Sequence, residues 1–176
     1  MYQELSLAVI DGRSYPNGMH HGDEDEAEIR DHVLRTWEAW GRGDARAYAA
    51  LFAPEVDYVA FDGSIARGRA EVERSHAELF ASVLRGTCLR GEITDVRRLG
   101  AEAAVAHAIG GAVWPWQRGV SAERLSRQTY VLVREGEGWT IAAFHNTRVR
   151  PTPPPGSLGF KLFAWFVALR LRLAGR

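Results

Sequence analysis

Three histidines sit in phase with apolar neighbours. His76 lies four residues after Val72 and four before Phe80 on a helical stripe. His107 alternates with Val105 and Ile109, and His145 with Trp139, Ile141 and Ala143. Histidine titrates nearest neutral pH, so one lining an apolar pocket is suited to carrying a proton. The competing reading for each is a core histidine bonded to backbone or to a carboxylate. Tyr58 and Tyr130 are phenols that either donate to a substrate oxygen or serve the structure. Three imidazoles plus a water could hold zinc, but no ligand spacing supports it, so no metal is expected. Asp57, Asp62 and Asp95 are the remaining acid-base candidates. Asp62 stands in an Asp-Gly turn, where local backbone bonding is its usual task.

These residues need elements to place them. An acidic run, Asp23-Glu-Asp-Glu26, opens a helix over Glu24–Trp40, with Ile29, Val33, Leu34, Trp37 and Trp40 as its apolar set. Asp44 caps a short helix over Ala45–Phe52 that Pro54 stops. Glu55–Phe61 alternates as a strand, and Asp62-Gly63 turns the chain. A third helix over Gly68–Leu84 carries Val72, His76, Leu79, Phe80 and Val83. Strands follow at about Thr87–Leu99, Ala103–Val113, Glu123–Arg134 and Trp139–Val149, joined by short hairpin connections and a longer Trp114–Ser121 loop. Helices first and a meander after predict an α+β fold, with helices on one face of a curved antiparallel sheet. Trp37, Phe61, Trp114 and Phe144 are candidates for pocket lining or for core. Arg67-Gly-Arg69 before the third helix reads as an anion site or as a structural turn.

The chain has 176 residues and 22 basic against 22 acidic ones, a formal net charge of +0. That length suits one domain with a real core, and that balance argues against general nucleic-acid binding. Cys88 is the single cysteine, so no intrachain disulfide forms and a reducing, cytoplasmic setting is expected. No basic start followed by an apolar run marks a secretory signal. Residues 1–23 read as an irregular arm, with one short strand at Leu5–Ile10 and solvent-facing His20 and His21. Residues 24–150 form the domain. Residues 151–176 form a proline-rich linker and an apolar helix, Ser157–Leu173, interrupted by Lys161, Arg170 and Arg172. That helix is too short in uncharged residues to span a bilayer; docking on the domain or a partner subunit, or lying on a membrane surface, remain open.

Several segments together resemble a known family: Trp40-Gly-Arg-Gly-Asp44, Tyr48-Ala-Ala-Leu-Phe52, Phe61-Asp-Gly-Ser64, Arg67-Gly-Arg69, His76-Ala-Glu-Leu-Phe80, Leu84-Arg-Gly86 and Ala143-Phe-His-Asn-Thr-Arg148. The chain is similar to the nuclear transport factor 2-like superfamily, and more narrowly to its SnoaL-like members and the SgcJ/EcaC group. The resemblance implies a cone-shaped curved sheet wrapping about three N-terminal helices around one pocket, in a homodimer packed through the sheet face. The superfamily holds isomerases, cyclases, dehydratases and non-catalytic scaffolds, so fold does not settle function. No G-x-G-x-x-G fingerprint follows a strand, so no dinucleotide cofactor is expected, nor any other cofactor.

The functional expectation is a pocket protein of specialised, polyketide- or enediyne-like metabolism. It would act on an apolar polycyclic or polyene intermediate by proton transfer, with His76, His145 and Tyr58 as catalytic candidates. Trp37, Phe61, His107, Trp114 and Phe144 would bind substrate. Asn146 and Arg148, on the strand face opposite His145, would with Gln128 hold the dimer or support the site. A slip of one residue in register would exchange those roles. The alternatives are a protein that binds the ligand without chemistry and a dimeric interaction module.

Overall fold

The structure is a computed structural model that describes residues 21–136, 138–150 and 154–175, without the side chains of 21–23. The expected arm up to residue 20, with its Leu5–Ile10 strand and His20, lies outside the described residues, as do residue 137 of the last hairpin and 151–153 of the proline-rich stretch.

Helix α1 (His21–Gly41) starts three residues before the expected Glu24. Ile29 and Val33 are fully buried, whereas Leu34 is 43% exposed and drops out of the expected apolar set. Asp44 caps α2 (Ala45–Ala49), its carboxylate accepting from the Ala47 amide at 2.9 Å. The helix ends at Ala49, three residues before the expected Phe52. Strand β1 begins at Phe52 and runs to Val59, so Pro54 sits inside a strand. Its register with the last strand shifts between Phe52 and Asp57. That irregular stretch tolerates a residue with no amide hydrogen to donate. After the Asp62-Gly63 turn comes a three-residue strand the sequence did not mark, β2 (Ile65–Arg67).

Helix α3 (Arg69–Ala81) buries Val72, His76 and Phe80. It stops short of Val83, which is 64% exposed. The Arg69 Nε donates to the Phe52 carbonyl at 2.7 Å. Glu71 accepts from the Arg67 amide at 2.8 Å, so the Arg-Gly-Arg turn is structural.

Strands β3 (Cys88–Arg98), β4 (Ala103–Val113), β5 (Ser126–Glu135) and β6 (Gly138–Arg148) form the expected meander. The six-stranded sheet has the order β2-β1-β6-β5-β4-β3, with β1 parallel to β6 and every other pair antiparallel. Gly91 faces Gly110 across β3 and β4. A side chain on Gly110 would come within 2.9 Å of the Gly91 Cα, so this crossing requires two glycines. The inner face of β4 is Ala104, Ala106 and Ala108, all buried beneath the helices. Helix α1 lies closest to β3, where Arg30 donates to the Ile93 carbonyl at 3.2 Å. Asp25 pins the helix start to the sheet through Arg98, at 2.6 Å, and Arg134.

Helix α4 (Leu158–Leu173) is capped by Ser157, which accepts from the Phe160 amide at 3.2 Å. None of its residues is buried; Trp165 is 63% exposed. No helix among the described residues is long and apolar enough to cross a membrane.

Candidate functional site

The inner concave side of the sheet and helices α1 and α3 enclose a cavity of about 670 Å³. Two neighbouring strands build its long wall. Inward side chains run Leu132, Tyr130, Gln128, Ser126 along β5, and Ile141, Phe144, Asn146, Arg148 along β6. The pairs Tyr130–Phe144, Gln128–Asn146 and Ser126–Arg148 lie side by side. Each strand therefore changes from apolar at the core to polar at the mouth.

The deep end is aromatic. The His76 ring centroid lies 4.6 Å from that of Tyr48, 5.2 Å from Tyr58, and 5.7 Å from Trp40 and Phe80. His76 Nδ1 is 2.8 Å from the Val72 carbonyl oxygen. A carbonyl only accepts, so Nδ1 carries the hydrogen and Nε2 keeps its lone pair. Nε2 is 3.3 Å from the Tyr58 hydroxyl, which is itself 3.1 Å from that of Tyr48. The donation runs from Tyr48 to Tyr58 to His76. Burial pushes the His76 pKa down, opposed by its bond to Val72, so the imidazole is neutral at neutral pH. Burial pushes both phenols up; Tyr58 and Tyr48 stay protonated and available as donors. On the facing wall, Tyr130 is pushed up to about 12 by burial and accepts from the Trp37 indole at 3.3 Å.

The mouth is cationic. Arg148 donates to the Arg124 carbonyl and, at 3.0 Å, to the Ser126 hydroxyl. Its guanidinium carbon sits 4.0 Å over the Phe61 ring. Arg124 lies 3.7 Å over the Trp114 ring, and its Nη1 is buried with no hydrogen-bond partner. Burial lowers the Arg148 pKa first, and the charges of Arg124 and Arg150 lower it further. Gln128 Nε2 donates to the Asn146 side-chain oxygen at 3.3 Å. Trp114 is fixed by donating to the Val83 carbonyl at 3.1 Å, while Trp116 is 77% exposed. Asp62, at the opposite rim, accepts from both the Ser64 amide and hydroxyl, and those bonds hold its carboxyl below the usual range.

The structure gathers His76, Tyr58, Trp37, Phe61, Trp114, Phe144, Gln128, Asn146 and Arg148 around this cavity. Two expected members are elsewhere. His145 is exposed on the outer face, because β6 carries one extra residue, Ala142, where Val131 opposes Ala143 but Leu132 opposes Ile141. Trp139 and Ile141 point inward before the bulge; after it, Phe144, Asn146 and Arg148 do. Asn146 and Arg148 therefore face the cavity rather than the sheet's outer face. His107 also faces outward, 3.1 Å from the Thr129 hydroxyl, since the inner phase of β4 is its alanines. Asp57 and Asp95 are exposed on that outer face. Arg124 was missed, although it alternates in phase with Ser126, Gln128 and Tyr130. The described residues hold no group of three or more metal-ligating side chains.

Comparison with known proteins matches this architecture. Residues 22–147 match the SnoaL-like domain family. A domain of unknown function with a cystatin-like fold from Nostoc punctiforme PCC 73102 is 32% identical, with a TM-score of 0.68 over 80% of this chain and 83% of that one. A candidate dehydratase of the nuclear transport factor 2-like family from Streptomyces avermitilis is 23% identical, TM-score 0.60, over 74% of this chain and 99% of that one. A ketosteroid isomerase-like protein from Erwinia carotovora atroseptica SCRI1043 is 19% identical, TM-score 0.59, over 73% and 99%. The latter two share the fold alone. No curated protein matches the chain. With its cone of helices and curved sheet closed around one aromatic cavity, the chain belongs to the SnoaL-like domain family.

Proposed function

We propose that the protein binds an apolar polycyclic or polyene molecule in this cavity and moves a proton on it without a cofactor. Isomerisation, cyclisation and dehydration are the reaction types in view, of the kind used in polyketide or enediyne assembly. The observation that carries the reading is the neutral, buried His76, whose Nε2 lone pair faces Tyr58 in the cavity wall. Substrate binding turns the Tyr58 hydroxyl from His76 to a substrate oxygen, and the Nε2 lone pair thus freed takes the proton released from carbon. The deep aromatic rings hold the apolar body. A second subunit packed on the outer face would leave this cavity free.

The test is exchange of the C1 protons of 2-tetralone in D₂O, followed by NMR. The protein should accelerate exchange. His76→Ala should cut that acceleration by about a hundredfold or more, and Tyr58→Phe by less. Full exchange in both variants would sink the proposal.

One observation favours binding without chemistry. His76 Nδ1 backs onto a backbone carbonyl and not a carboxylate, so no second charge stabilises an imidazolium. Quenching of tryptophan fluorescence by 2-tetralone, with no exchange, would select that reading.

A further inference from the structure

We propose that the cavity mouth is a carboxylate site formed by Arg124 and Arg148, so that the ligand is an apolar acid whose anionic end sits at the mouth. This rests on the cavity being the ligand site, and adds the ligand's charge and orientation.

The mouth holds an unmet electrostatic requirement. Like charges placed together and partly desolvated need a counter-charge. Among the described residues, no carboxylate comes within 4.0 Å of either guanidinium; the ion pairs formed are between other residues. Arg148 has only neutral acceptors, the Arg124 carbonyl and the Ser126 hydroxyl. Arg124 Nη1 is buried with no partner at all. Glu123, next in sequence, is fully exposed and bonds its own amide and Ser121; it meets the Arg124 charge only at long range through solvent, where screening leaves little. Asp62 is engaged by Ser64, and Glu71 by the Arg67 amide.

The two arginines are also preorganised. Each guanidinium lies over an aromatic ring, Arg124 on Trp114 and Arg148 on Phe61. Stacking covers the faces and leaves the in-plane N–H edges for an acceptor, the geometry a planar carboxylate matches. Asn146 is the next inward residue of β6, and its side-chain oxygen is already occupied by Gln128. Its amide hydrogens therefore remain as further donors. The apolar-to-polar gradient along β5 and β6 fixes the orientation. From the Tyr130–Phe144 pair to the Ser126–Arg148 pair is four residues, roughly 13 Å of extended chain. A fused-ring or polyene acid can span that length, its apolar end beside Tyr58 and His76.

The experiment compares naphthalene-2-carboxylate with its methyl ester, by calorimetry at pH 7 and low salt. The wild-type protein should bind the carboxylate at least about tenfold more tightly, and added salt should erode that preference. Arg148→Met and Arg124→Met should each cut the ratio of acid to ester affinity by about tenfold. Equal binding of acid and ester by the wild-type protein would overturn the proposal and leave the cavity reading intact. Binding of neither would overturn both. The wild-type comparison stands even if a variant fails to fold. A preference that survives both substitutions would also overturn it.

Discussion

The two faces of one sheet carry histidine-bearing surfaces of opposite kind. Inside, His76 reaches the concave side from α3, 4% exposed, ringed by aromatics and bonded at both nitrogens. Outside, His107 and His145 flank Thr129 on adjacent strands, half-buried and exposed, with only Thr129 as a side-chain partner to His107. The same residue type is a neutral, desolvated base in one place and a surface group in the other. Composition and local phase do not separate the two cases. What separates them is which face of the strand the backbone turns toward the helices, and in β6 one extra residue decides it.

The most severe way to break that distinction is to delete Ala142. Restoring simple alternation would turn either Ile141 or the Phe144, Asn146 and Arg148 set outward. We expect a loss of more than about 4 kcal/mol in urea unfolding, or no cooperative transition. A cooperative fold of near-native stability would show that the bulge does not set the facing. Next in size, Phe52→Ala beneath β6 should cost about 3–5 kcal/mol, since Phe52 is fully buried against Tyr48, Tyr58 and Phe144.

A pH series reads the inner face without mutation. Burial lowers the pKa of His76, and also of His32, whose Nε2 meets the Leu51 carbonyl at 2.8 Å. Below the ordinary value of about 6.5, the unfolded chain binds protons that the folded one resists. Stability is therefore complete above that value and falls as the pH drops through it. The slope is at most about 1.4 kcal/mol per pH unit for each histidine. Urea midpoints at pH 8, 7, 6 and 5 should fall over the last two steps, and less so in His76→Gln. A flat profile would contradict the buried, neutral histidine. The smallest effect belongs outside: His145→Ala should change stability by less than about 0.5 kcal/mol and leave 2-tetralone exchange untouched. A large loss of exchange would return His145 to the chemistry.

Much of this was legible from the residues. The helical stripe through Ile29, Val33, Val72, His76 and Phe80, the Asp44 cap, the Asp62-Gly63 turn and the four-strand meander all follow from spacing and turn chemistry. Two of the misreadings share one cause. Pro54 and Ala142 both stand at irregular registers of the β1–β6 pair and its neighbour, where pairing between distant segments overrides local pattern. His107 misled because outward Val105 and Ile109 look more core-like than the inward alanines, which are the ones that join the core. Arg124 stood in phase with the polar row of β5, but a charged residue before a strand gives no sign that its guanidinium turns inward.

The glycines of β4 set a limit on how this binding surface can drift. Gly110 and Gly111 both border the cavity, and a side chain on Gly111 would come within 2.7 Å of the Arg124 carbonyl oxygen. That oxygen also accepts from Arg148. One side of the mouth is thus bare peptide that mutation cannot decorate without displacing the arginines. The other, formed by Phe61, Asn146 and Arg148, is built of side chains. New ligand preferences would arise by substitution along β6 and the β1–β2 turn, while β4 stays as the fixed jaw against which each new occupant is gripped.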